Sequence, residues 1–454
     1  MRPVVMKFGG SCLKNVDGLR QLVELTSAEK DCTIVVSAVS GVTDTIMQTI
    51  TGRLSEKKIA SLTSTLRERH VAILSEESSG LLGSGEKDVD GLLKNLERLL
   101  YGIYYTGELT PRMRALVLSI GERLSARLVS SVLESHGIRS KVFESDSLGI
   151  VTNSNYESAT ADLPQTKRIA GKKILAALKS GRVPVVTGFF GRDPRGHVTL
   201  LGRNGTDYSA SVVAYAVGAR RLIIWKDVDG FLTADPSIVP QAKLIDEISY
   251  DEAAELSYFG AEVLHPKAVD PARLGNIGLR IMNIANRSSK GTLITSSKRE
   301  TTGVVKSVSC LKDLGILRVY VTGGGYTSGT ISSISGHLGM EGVNIISATT
   351  SQTCISFLLG IEDLDRSAEA LSKLISVGLD KVEKERNVAL LCAVGEGLGR
   401  TRGIAAKVFG AVSDVGVNIG MMSAGASTVA YHFTVSMKDL QTAARSVHRV
   451  FFGE

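Results

Sequence analysis

The feature that most constrains the fold is an internal repeat in the last third of the chain. Gly-Val-Asn-Ile occurs at 342–345 and again at 416–419, 74 positions later. The same offset relates further residues: Val319 to Ala393, Gly329 to Gly403, and Phe357 to Tyr431. Each copy reads as strand, glycine-rich loop, helix, strand, strand and helix, which is a split βαβ pattern used twice. We therefore predict two ferredoxin-like βαββαβ domains, over 301–385 and 386–454. Neither copy holds a catalytic set of residues, which favours a sensing or assembly role.

Before the repeat, short apolar runs alternate with helical patterns. We expect strands at 4–8, 33–37, 140–143, 183–189, 221–225 and 280–284. Helices are expected at 15–27 and across most of 56–133, with an exposed glycine-rich loop near 79–85. A further helix at 249–259 would be capped by Ser249 with Glu252 three residues on. Strands joined by helices predict an α/β fold, an open and mostly parallel sheet sandwiched by helices. Serine-rich linkers near 288–291 and 296–302 place the end of this first domain at about residue 300.

The composition narrows the class of protein. A chain of 454 residues is long enough for two or three domains. Its formal charge of +7 is scattered and not interleaved with aromatic residues, which favours small anionic ligands over nucleic acid. The five cysteines show no metal-ligand spacing, so a reduced, cytoplasmic protein is expected. No apolar run approaches a membrane span and no signal segment precedes the first strand, so no membrane partner is expected.

The segment Lys7-Phe8-Gly9-Gly10 follows the first strand. Glycine lets backbone N–H groups approach an anion closely, and Lys7 can neutralise a phosphoryl group. The spacing is not that of a Walker P-loop. Taken alone, a glycine turn beside a surface lysine is an equally good interpretation.

A second glycine-rich segment, Gly202-Arg203-Asn204-Gly205-Thr206-Asp207, precedes an apolar helix at 208–217. Arg203 offers a planar fork suited to a carboxylate, and Asp207 could position Lys7. The alternative is a capped helix after a glycine turn, with Thr206 or Asp207 as the N-cap.

Two more segments carry candidate ligand groups. The hydroxyl-rich run 37–44 follows the second strand, where open α/β sheets bind ligands, although it could simply cap a helix. Glu122 lies at the start of another helix. It is either a solvated carboxylate favoured by the helix dipole or the partner of a substrate ammonium.

The run from Trp225 to Pro236 contains Asp227, Asp229 and Asp235 after a strand. These carboxylates could order a nucleotide or its Mg²⁺, but the spacing does not fit an EF-hand. His265 precedes a proline and is interpreted as structural. The histidines form no catalytic or metal-binding set.

Together these segments resemble the aspartate kinases of the amino-acid kinase family, whose C-terminal part is a tandem pair of ACT domains. The resemblance spans nearly the whole chain and rests on motifs that occur here in the family's order: 7–10, 36–44, 119–126, 202–210, 227–240, 259–266 and the repeat. It implies ATP-dependent phosphorylation of the β-carboxylate of L-aspartate, the committed step toward lysine, threonine and methionine.

The resemblance also implies roles for individual residues. Lys7 and Asp207 would be catalytic, Lys7 on the γ-phosphate and Asp207 orienting it. Aspartate would be held by Ser37, Thr43, Glu122, Arg203, Gly205 and Thr206, with Glu122 near its ammonium and Arg203 on a carboxylate. ATP would be held by Lys7, Phe8, Gly9, Gly10, Ser11, Lys226, Asp227, Asp229, Leu232, Ser237 and Glu262. Mg²⁺ would bind mainly through the ATP phosphates, without a separate protein metal site.

Departures from the family pattern lie on the nucleotide side. The family usually has Thr-Ser at Ser11-Cys12, Gly at Asn204, Thr at Lys226, Tyr at Leu232, Arg at Ser237 and Lys at Glu262. A cation is thus lost at Glu262 and one is gained at Lys226. We hypothesise that the positive contact of the nucleotide has moved, so that Lys226→Thr raises the KM for ATP and leaves that for aspartate unchanged.

The first repeat matches the family's effector-binding strand and loop. The matching residues are Met340, Val343, Asn344, Ile345, Thr350, Ser351 and Gln352. A buried Asn344 would bind an amino acid or pair with a neighbouring strand. The resemblance implies feedback by threonine or lysine, with threonine slightly favoured, in a homodimer or homotetramer with ACT domains at an interface.

Two other functions are compatible with parts of the pattern. The altered nucleotide-side residues fit a catalytically weak amino-acid sensor, but the intact Lys7, Arg203 and Asp207 oppose it. A kinase acting on glutamate or a nucleotide is opposed by the Glu122 and Arg203 pair and by the tandem repeat.

Overall fold

The computed structural model describes residues 2–77, 82–261, 263–296, 303–321, 329–373 and 379–453. The contacts divide the chain into two compact units. The first contains Met1–Phe231, Asp246–Ala253 and Val263–Ser297, and the second contains Leu232–Ile245, Ala254–Glu262 and Lys298–Glu454. Two short segments that precede residue 300 therefore pack with the C-terminal part of the chain. The three-domain division predicted above stays a prediction.

The first unit is built of strands and helices that alternate along the chain. Its strands are β1 (Val4–Phe8), β2 (Cys32–Val36), β3 (Ser140–Phe143), β4 (Val183–Thr187), β5 (Phe190–Arg192), β6 (Val198–Leu200), β7 (Arg221–Lys226), β8 (Glu247–Ser249), β9 (Gly278–Asn283) and β10 (Thr292–Thr295). Its helices are α1 (Val16–Ala28), α2 (Val42–Thr51), α3 (Glu56–Glu77), α4 (Leu82–Thr106), α5 (Pro111–Leu118), α6 (Ile120–Ser135), α7 (Ser145–Leu148), α8 (Leu163–Thr166), α9 (Lys172–Lys179), α10 (Gly205–Val217) and α12 (Val269–Leu274). Between α10 and α12, α11 (Tyr250–Tyr258) begins in this unit and ends in the second.

Eight of these strands form one sheet in the order β3-β4-β2-β1-β7-β9-β10-β8. Neighbouring strands are parallel except for β9 and β10, which pair antiparallel. Every residue of β1 and β2 is buried, so both faces of the sheet centre are covered. Helices α6 and α10 both pack against the central strands. This is the predicted open, mostly parallel sheet sandwiched by helices, and the fold class is confirmed.

The caps of two helices show how local sequence sets helix boundaries. The side chain of Asn15 accepts a hydrogen bond from the backbone N–H of Gly18 at 3.1 Å and starts α1. The N–H of Ser249 donates to Glu252 at 2.7 Å, while the N–H of Glu252 donates to the Ser249 hydroxyl at 3.2 Å. This reciprocal pair is the capping box that the sequence predicts for α11.

Two local predictions about the first unit are wrong. The glycine-rich stretch 79–85 was expected to be a loop, but α4 already begins at Leu82, while 78–81 lie outside the described residues. Gly85 is buried, and a Cβ there would lie 2.9 Å from the hydroxyl of Ser131, so its glycine serves helix packing. Asn204, rather than Thr206 or Asp207, is the N-cap residue of α10. It adopts the left-handed conformation with φ of 57°.

The second unit carries both repeats. Its elements are β11 (Ser307–Tyr320), α13 (Thr330–Met340), β12 (Ile345–Thr350), β13 (Cys354–Gly360), α14 (Ile361–Ser372), β14 (Lys381–Val394), α15 (Ile404–Ser413), β15 (Met422–Ser423), β16 (Ala430–Ser436) and α16 (Leu440–Phe452). The strands form one antiparallel sheet in the order β12-β13-β11-β14-β16-β15. The two 14-residue strands β11 and β14 pair at its centre, so the repeats share a single sheet.

The repeat is visible in matching structural positions. Gly329 and Gly403 precede α13 and α15, and both have positive φ, 94° and 81°. That conformation favours glycine and explains why the residue recurs. The Gly-Val-Asn-Ile segments differ more, because β12 begins at Ile345 whereas β15 spans only Met422–Ser423. None of the helices among the described residues is both long and apolar enough to cross a membrane.

Candidate functional site

The candidate site lies at the carboxyl ends of the central strands of the first unit. Lys7 is the penultimate residue of β1, and Lys226 is the last residue of β7. These strands are parallel neighbours in which Phe8 lies beside Trp225. Ser37 directly follows β2, the neighbour of β1 on its other side. The topology therefore brings three distant segments to the edge where open α/β sheets bind their ligands.

Two glycines bring the backbone to this edge. A Cβ on Gly10 would lie 2.6 Å from the carbonyl oxygen of Ala38, so only glycine fits. A Cβ on Gly9 would lie 3.3 Å from the Nζ of Lys7. The chain turns directly into a short 3₁₀ turn, Gly10–Leu13. Both glycines line the cavity beside Lys7 without a side chain that would fill it. Gly9 is buried and its N–H donates to the carbonyl of Trp225 at 3.3 Å, whereas Gly10 is half-buried.

Asp207 lies in the first turn of α10 and joins the two lysines. Its Oδ1 is 2.7 Å from the Nζ of Lys7, and its Oδ2 is 2.9 Å from the Nζ of Lys226. The carboxylate is only 1% exposed. Burial alone would raise the pKa of Asp207, but the two ammonium groups outweigh it and lower that pKa to about 2. Asp207 is thus ionised near pH 7, and its low pKa makes it a weak general base.

These charges face a cavity of about 170 Å³. It is lined by Lys7, Gly9, Gly10, Ser11, Ser37, Asn204, Thr206, Asp207, Lys226 and Asp227. Most of these are residues that the sequence assigns to the nucleotide or to aspartate. Phe8 differs, because its ring is fully buried and stacks on Trp225 with centroids 6.4 Å apart.

Thr206 links the two sides of the cavity. Its hydroxyl lies 3.3 Å from the hydroxyl of Ser37, so the start of α10 and the end of β2 are joined. Gly205, also assigned to aspartate, is buried at the start of the helix. A Cβ on Gly188, which follows β4, would lie 2.3 Å from the methyl group of Thr206. The hydroxyl of Thr206 is therefore held in place by close packing behind it.

Glu122 is buried in the first turn of α6, at 2% exposure, so the solvated alternative is wrong. Its Oε1 accepts a hydrogen bond from the N–H of Ala38 at 3.1 Å. Its Oε2 has no hydrogen-bond partner within the described part of the chain. Burial raises the pKa of Glu122 to about 8, so its carboxyl is protonated near pH 7 in the free protein.

Thr43 lies close to the first turn of α6, which contains Glu122. A Cβ on Gly121 would lie 2.9 Å from the methyl group of Ala38 and 3.6 Å from the hydroxyl of Thr43. The glycine therefore permits α6 to approach the segment that follows β2. The sequence does not indicate the role of Ala38, because its backbone N–H makes the contact with Glu122 and a backbone contact does not depend on the identity of the side chain.

Arg203 is exposed and forms no hydrogen bond or ion pair with any residue that the structure describes. It stands in the loop before α10, between Gly202 with φ of 90° and Asn204. Its guanidinium is available to a ligand, and its assignment to a substrate carboxylate stays a prediction.

The aspartates after β7 divide into two kinds. Asp227 is exposed and lines the cavity. Asp229 instead accepts hydrogen bonds from the side-chain amides of Asn283 at 2.8 Å and Asn286 at 3.2 Å. The observed contacts of Asp229 anchor its turn to the neighbouring β9 segment. Its assignment to the nucleotide stays a prediction.

Three residues assigned to the nucleotide belong to the second unit. Leu232 forms an isolated bridge with Leu244. The N–H and hydroxyl of Ser237 both donate to Asp235, at 2.8 and 2.7 Å. Glu262 lies outside the described residues.

His265 is half-buried and lies close to Asp207, nearer to the site than the sequence suggested. Its ring stacks on Tyr208, with centroids 6.1 Å apart, and its Nδ1 accepts from the N–H of Lys267 at 3.1 Å. Burial lowers the pKa of His265 to about 4, although Asp207 opposes that effect. The imidazole is therefore neutral near pH 7. Its contacts fit the structural interpretation.

The residues assigned to an effector surround β12 in the second unit. Val343 is buried, and Ile345 is half-buried. Met340, Asn344, Thr350, Ser351 and Gln352 are exposed. The expectation of a buried Asn344 is wrong for the single chain, since Asn344 precedes an edge strand and does not enter the core.

Among the described residues, no group of three or more histidine, cysteine, aspartate and glutamate side chains is placed to hold a metal ion.

Comparison with known proteins gives a consistent result. The sequence model of the amino acid kinase family matches residues 2–283, and that of the ACT domain matches residues 391–451. The chain is 31% identical to chloroplastic aspartokinase 2 of Arabidopsis thaliana over 469 residues, covering 99% of this chain and 84% of the relative.

Solved structures of an aspartokinase are also similar to this chain. Escherichia coli aspartokinase III in complex with aspartate and ADP, in its R-state, is similar with a TM-score of 0.88 and 26% identity, over 99% of this chain and 100% of that one. The same enzyme with lysine and aspartate, in its T-state, gives a TM-score of 0.80 and 27% identity, over 99% of both chains.

Proposed function

The chain belongs to the amino acid kinase family, within its aspartokinases, and from that premise we propose that it transfers the γ-phosphoryl group of ATP to the β-carboxylate of L-aspartate. The observation that carries this proposal is the buried Lys7–Asp207–Lys226 cluster at a glycine-lined cavity. The two cations and one anion of this cluster carry a net positive charge, which an anionic phosphate chain would neutralise.

The chemistry needs no general base. The β-carboxylate of aspartate is already ionised, so one of its oxygens attacks the γ-phosphorus directly. The bond between that phosphorus and the β–γ bridging oxygen breaks, and its electron pair stays on ADP. The products are 4-phospho-L-aspartate and ADP. A protein that only positions reactants and neutralises charge suffices for such a transfer, which agrees with an Asp207 locked in its ionised form.

Glu122 is proposed to receive the aspartate ammonium. Its free Oε2 and its raised pKa describe a carboxyl group that gains a partner when a cation arrives. Thr43, Ser37, Gly205 and Thr206 would surround the substrate. Arg203, with its free guanidinium, would hold a carboxylate. The E. coli enzyme holds aspartate and ADP, which supports the same pair of ligands here.

On the nucleotide side, the Gly9–Gly10 turn, Ser11, Lys7 and Lys226 line the cavity and would bind the phosphates. Asp227 stands at the cavity wall. Mg²⁺, held mainly by the phosphates, would supply further charge neutralisation when bound.

The second unit is proposed to regulate this activity. The ACT match to residues 391–451 and the lysine held by the E. coli relative support feedback by lysine or threonine. We place the effector at residues 340–352 of the first repeat. We further propose a homodimer or homotetramer in the cytoplasm, with ACT domains at an interface, and a place at the first step toward lysine, threonine and methionine. Ile331 and Met340, at 48% and 76% exposure, offer apolar surface for such an interface.

The test is turnover by the purified chain with ATP, Mg²⁺ and L-aspartate, with hydroxylamine trapping the acyl phosphate. We expect hydroxamate with aspartate, none with glutamate, and none from Lys7→Ala. Lysine and threonine are then added separately to find the effector.

Two outcomes would change the proposed function. Hydroxamate with glutamate and not with aspartate would reassign the substrate. Absence of hydroxamate while lysine or threonine still binds would favour a catalytically weak amino-acid sensor.

A further inference from the structure

Lys226 occupies a position that the proposed nucleotide contact does not fully explain. Its ammonium is bonded to Asp207 Oδ2, on the opposite carboxylate oxygen from Lys7. The two lysines come from adjacent parallel strands, β1 and β7, and both line the cavity. Lys226 is thus placed as the counterpart of Lys7 across a shared carboxylate.

The charges of the Lys7–Asp207–Lys226 cluster indicate that it binds an anion. The side chains of Lys7 and Lys226 are only 7% and 14% exposed, and Asp207 is 1% exposed. One carboxylate balances one ammonium, so these three poorly solvated groups carry a net charge of +1. Asp227, which also lines the cavity, is exposed and therefore solvated. The net charge of the cluster is unfavourable unless a ligand supplies the counter-charge. Since Gly9 and Gly10 keep the cavity open beside the lysines, that counter-charge belongs to the bound phosphates.

We propose that Lys226 is a second catalytic lysine of this enzyme. The proposal rests on the function proposed above and refines it. As the aspartate oxygen bonds to the γ-phosphorus and the bond to the bridging oxygen breaks, negative charge moves toward ADP. Two ammonium groups fixed on one carboxylate are preorganised for that shift, because they need no reorientation during the reaction. No proton is transferred.

This assignment changes the expectation for Lys226. A contact made equally to bound ATP and to the transition state affects mainly KM, whereas one that strengthens during the reaction affects kcat. The family usually has threonine at this position, so Lys226→Thr is an informative replacement. Because Lys7 stays paired with Asp207 in that variant, the remaining cluster is neutral and its fold should persist.

The experiment measures kcat and both KM values for wild type, Lys226→Thr, Lys226→Ala and Lys226→Arg with ATP and L-aspartate. We expect kcat to fall about 100-fold or more in the threonine and alanine variants, the range found when a charge-stabilising group is removed. The KM for ATP should change less than tenfold, and the arginine variant should recover part of the lost rate. The exposed Lys57, replaced by threonine, is the matched control.

A second readout separates catalysis from structural support. Methylamine or ethylamine added to Lys226→Ala should restore part of kcat, since a small amine can occupy the space and carry the charge. Denaturation temperature and ATP affinity of each variant establish that the fold and the nucleotide site persist.

The outcomes are distinguishable. A raised KM for ATP with kcat within threefold of wild type would limit Lys226 to nucleotide binding and overturn the assignment. Loss of kcat without rescue by arginine or by amines would reduce Lys226 to a support for Asp207. A wild type without aspartate-dependent turnover would overturn the proposed function and this assignment together.

Discussion

The first unit buries two carboxyl groups, Asp207 and Glu122, and the cost of burying their charge is avoided in opposite ways. Asp207 keeps its charge, because Lys7 and Lys226 contact both of its oxygens and lower its pKa to about 2. Glu122 has one N–H donor, from Ala38, and burial raises its pKa to about 8. The first carboxyl is neutralised by protein cations, and the second is neutralised by a proton.

The difference indicates that Asp207 has a fixed place in the site, whereas Glu122 is free to pair with a ligand. A carboxylate held by two lysines cannot exchange partners without exposing buried charge. A protonated carboxyl can give up its proton when a cation arrives, since the new partner then supplies the counter-charge. This contrast supports the proposal that Asp207 organises charge and that Glu122 recognises the aspartate ammonium, and four predictions test it.

The largest effect is expected for Asp207→Asn. The amide leaves two buried ammonium groups without their counter-charge, so they repel each other and lose their fixed geometry. We expect kcat to fall about 1,000-fold and stability to fall by about 3–5 kcal/mol, the usual cost of removing one partner from a buried pair. Steady-state kinetics and denaturant unfolding measure the two effects. A variant with kcat within tenfold of wild type would contradict the role of Asp207.

Glu122→Gln should act on aspartate alone. The amide keeps the size of the side chain but cannot become an anion, so the substrate ammonium loses its counter-charge. We expect the KM for aspartate to rise about 100-fold, equivalent to about 3 kcal/mol, and the KM for ATP to stay within twofold. The exposed Glu108, changed to Gln, serves as the control. Equal changes in both KM values would show that Glu122 supports the site as a whole.

The pH dependence of aspartate affinity should reveal the proton on Glu122. In the free protein the carboxyl is protonated below about pH 8, and binding of the ammonium requires the ionised form. Each complex formed below pH 8 therefore releases one proton, so affinity should rise up to tenfold per pH unit between pH 6 and 8 and level off above. Titration calorimetry in buffers of different ionisation enthalpy counts that proton. The slope should vanish in Glu122→Gln, and its persistence there would place the titration on another group.

The smallest effect is expected for Thr206→Val. The replacement keeps the packing of the methyl group but removes the hydroxyl that lies 3.3 Å from Ser37. Loss of one neutral hydrogen bond at the edge of the cavity should cost about 1 kcal/mol, or about fivefold in kcat/KM for aspartate. Ser37→Ala should give a similar value, and the double variant should lose less than the sum. Full additivity would show that the two hydroxyls act separately.

Much of this architecture follows from local sequence. The alternation of apolar runs and helical patterns predicts the sheet, the 74-residue offset predicts the repeat, and the Ser249 and Glu252 pair predicts the start of α11. Lys7 and Asp207 were expected to meet, and they lie 2.7 Å apart.

What the sequence did not reveal depends on tertiary contacts. The glycines near 82–85 suggest a loop, yet buried packing keeps that stretch helical. Asn204 caps α10 through its left-handed backbone, while Asp207 turns to the lysines instead of the helix end. The sharing of Asp207 by Lys226, the pKa of Glu122 and the pairing of β11 with β14 all depend on residues that are distant along the chain.

The path of the second unit also bears on the order in which the protein is made. Segment 232–245, close behind Lys226, is tied to residues synthesised much later. The N–H of Val308 donates to the carbonyl of Thr233 at 2.9 Å, and the hydroxyl of Thr233 meets His448 at 3.0 Å. The guanidinium of Arg445 donates to the carbonyl of Ile238 at 2.8 Å. On the ribosome, most of the central sheet can assemble as its strands emerge, but this segment must wait for α16, which begins only at Leu440. A chain cut short before α16 would leave the apolar residues of that segment uncovered, a signal by which quality control could recognise an unfinished enzyme.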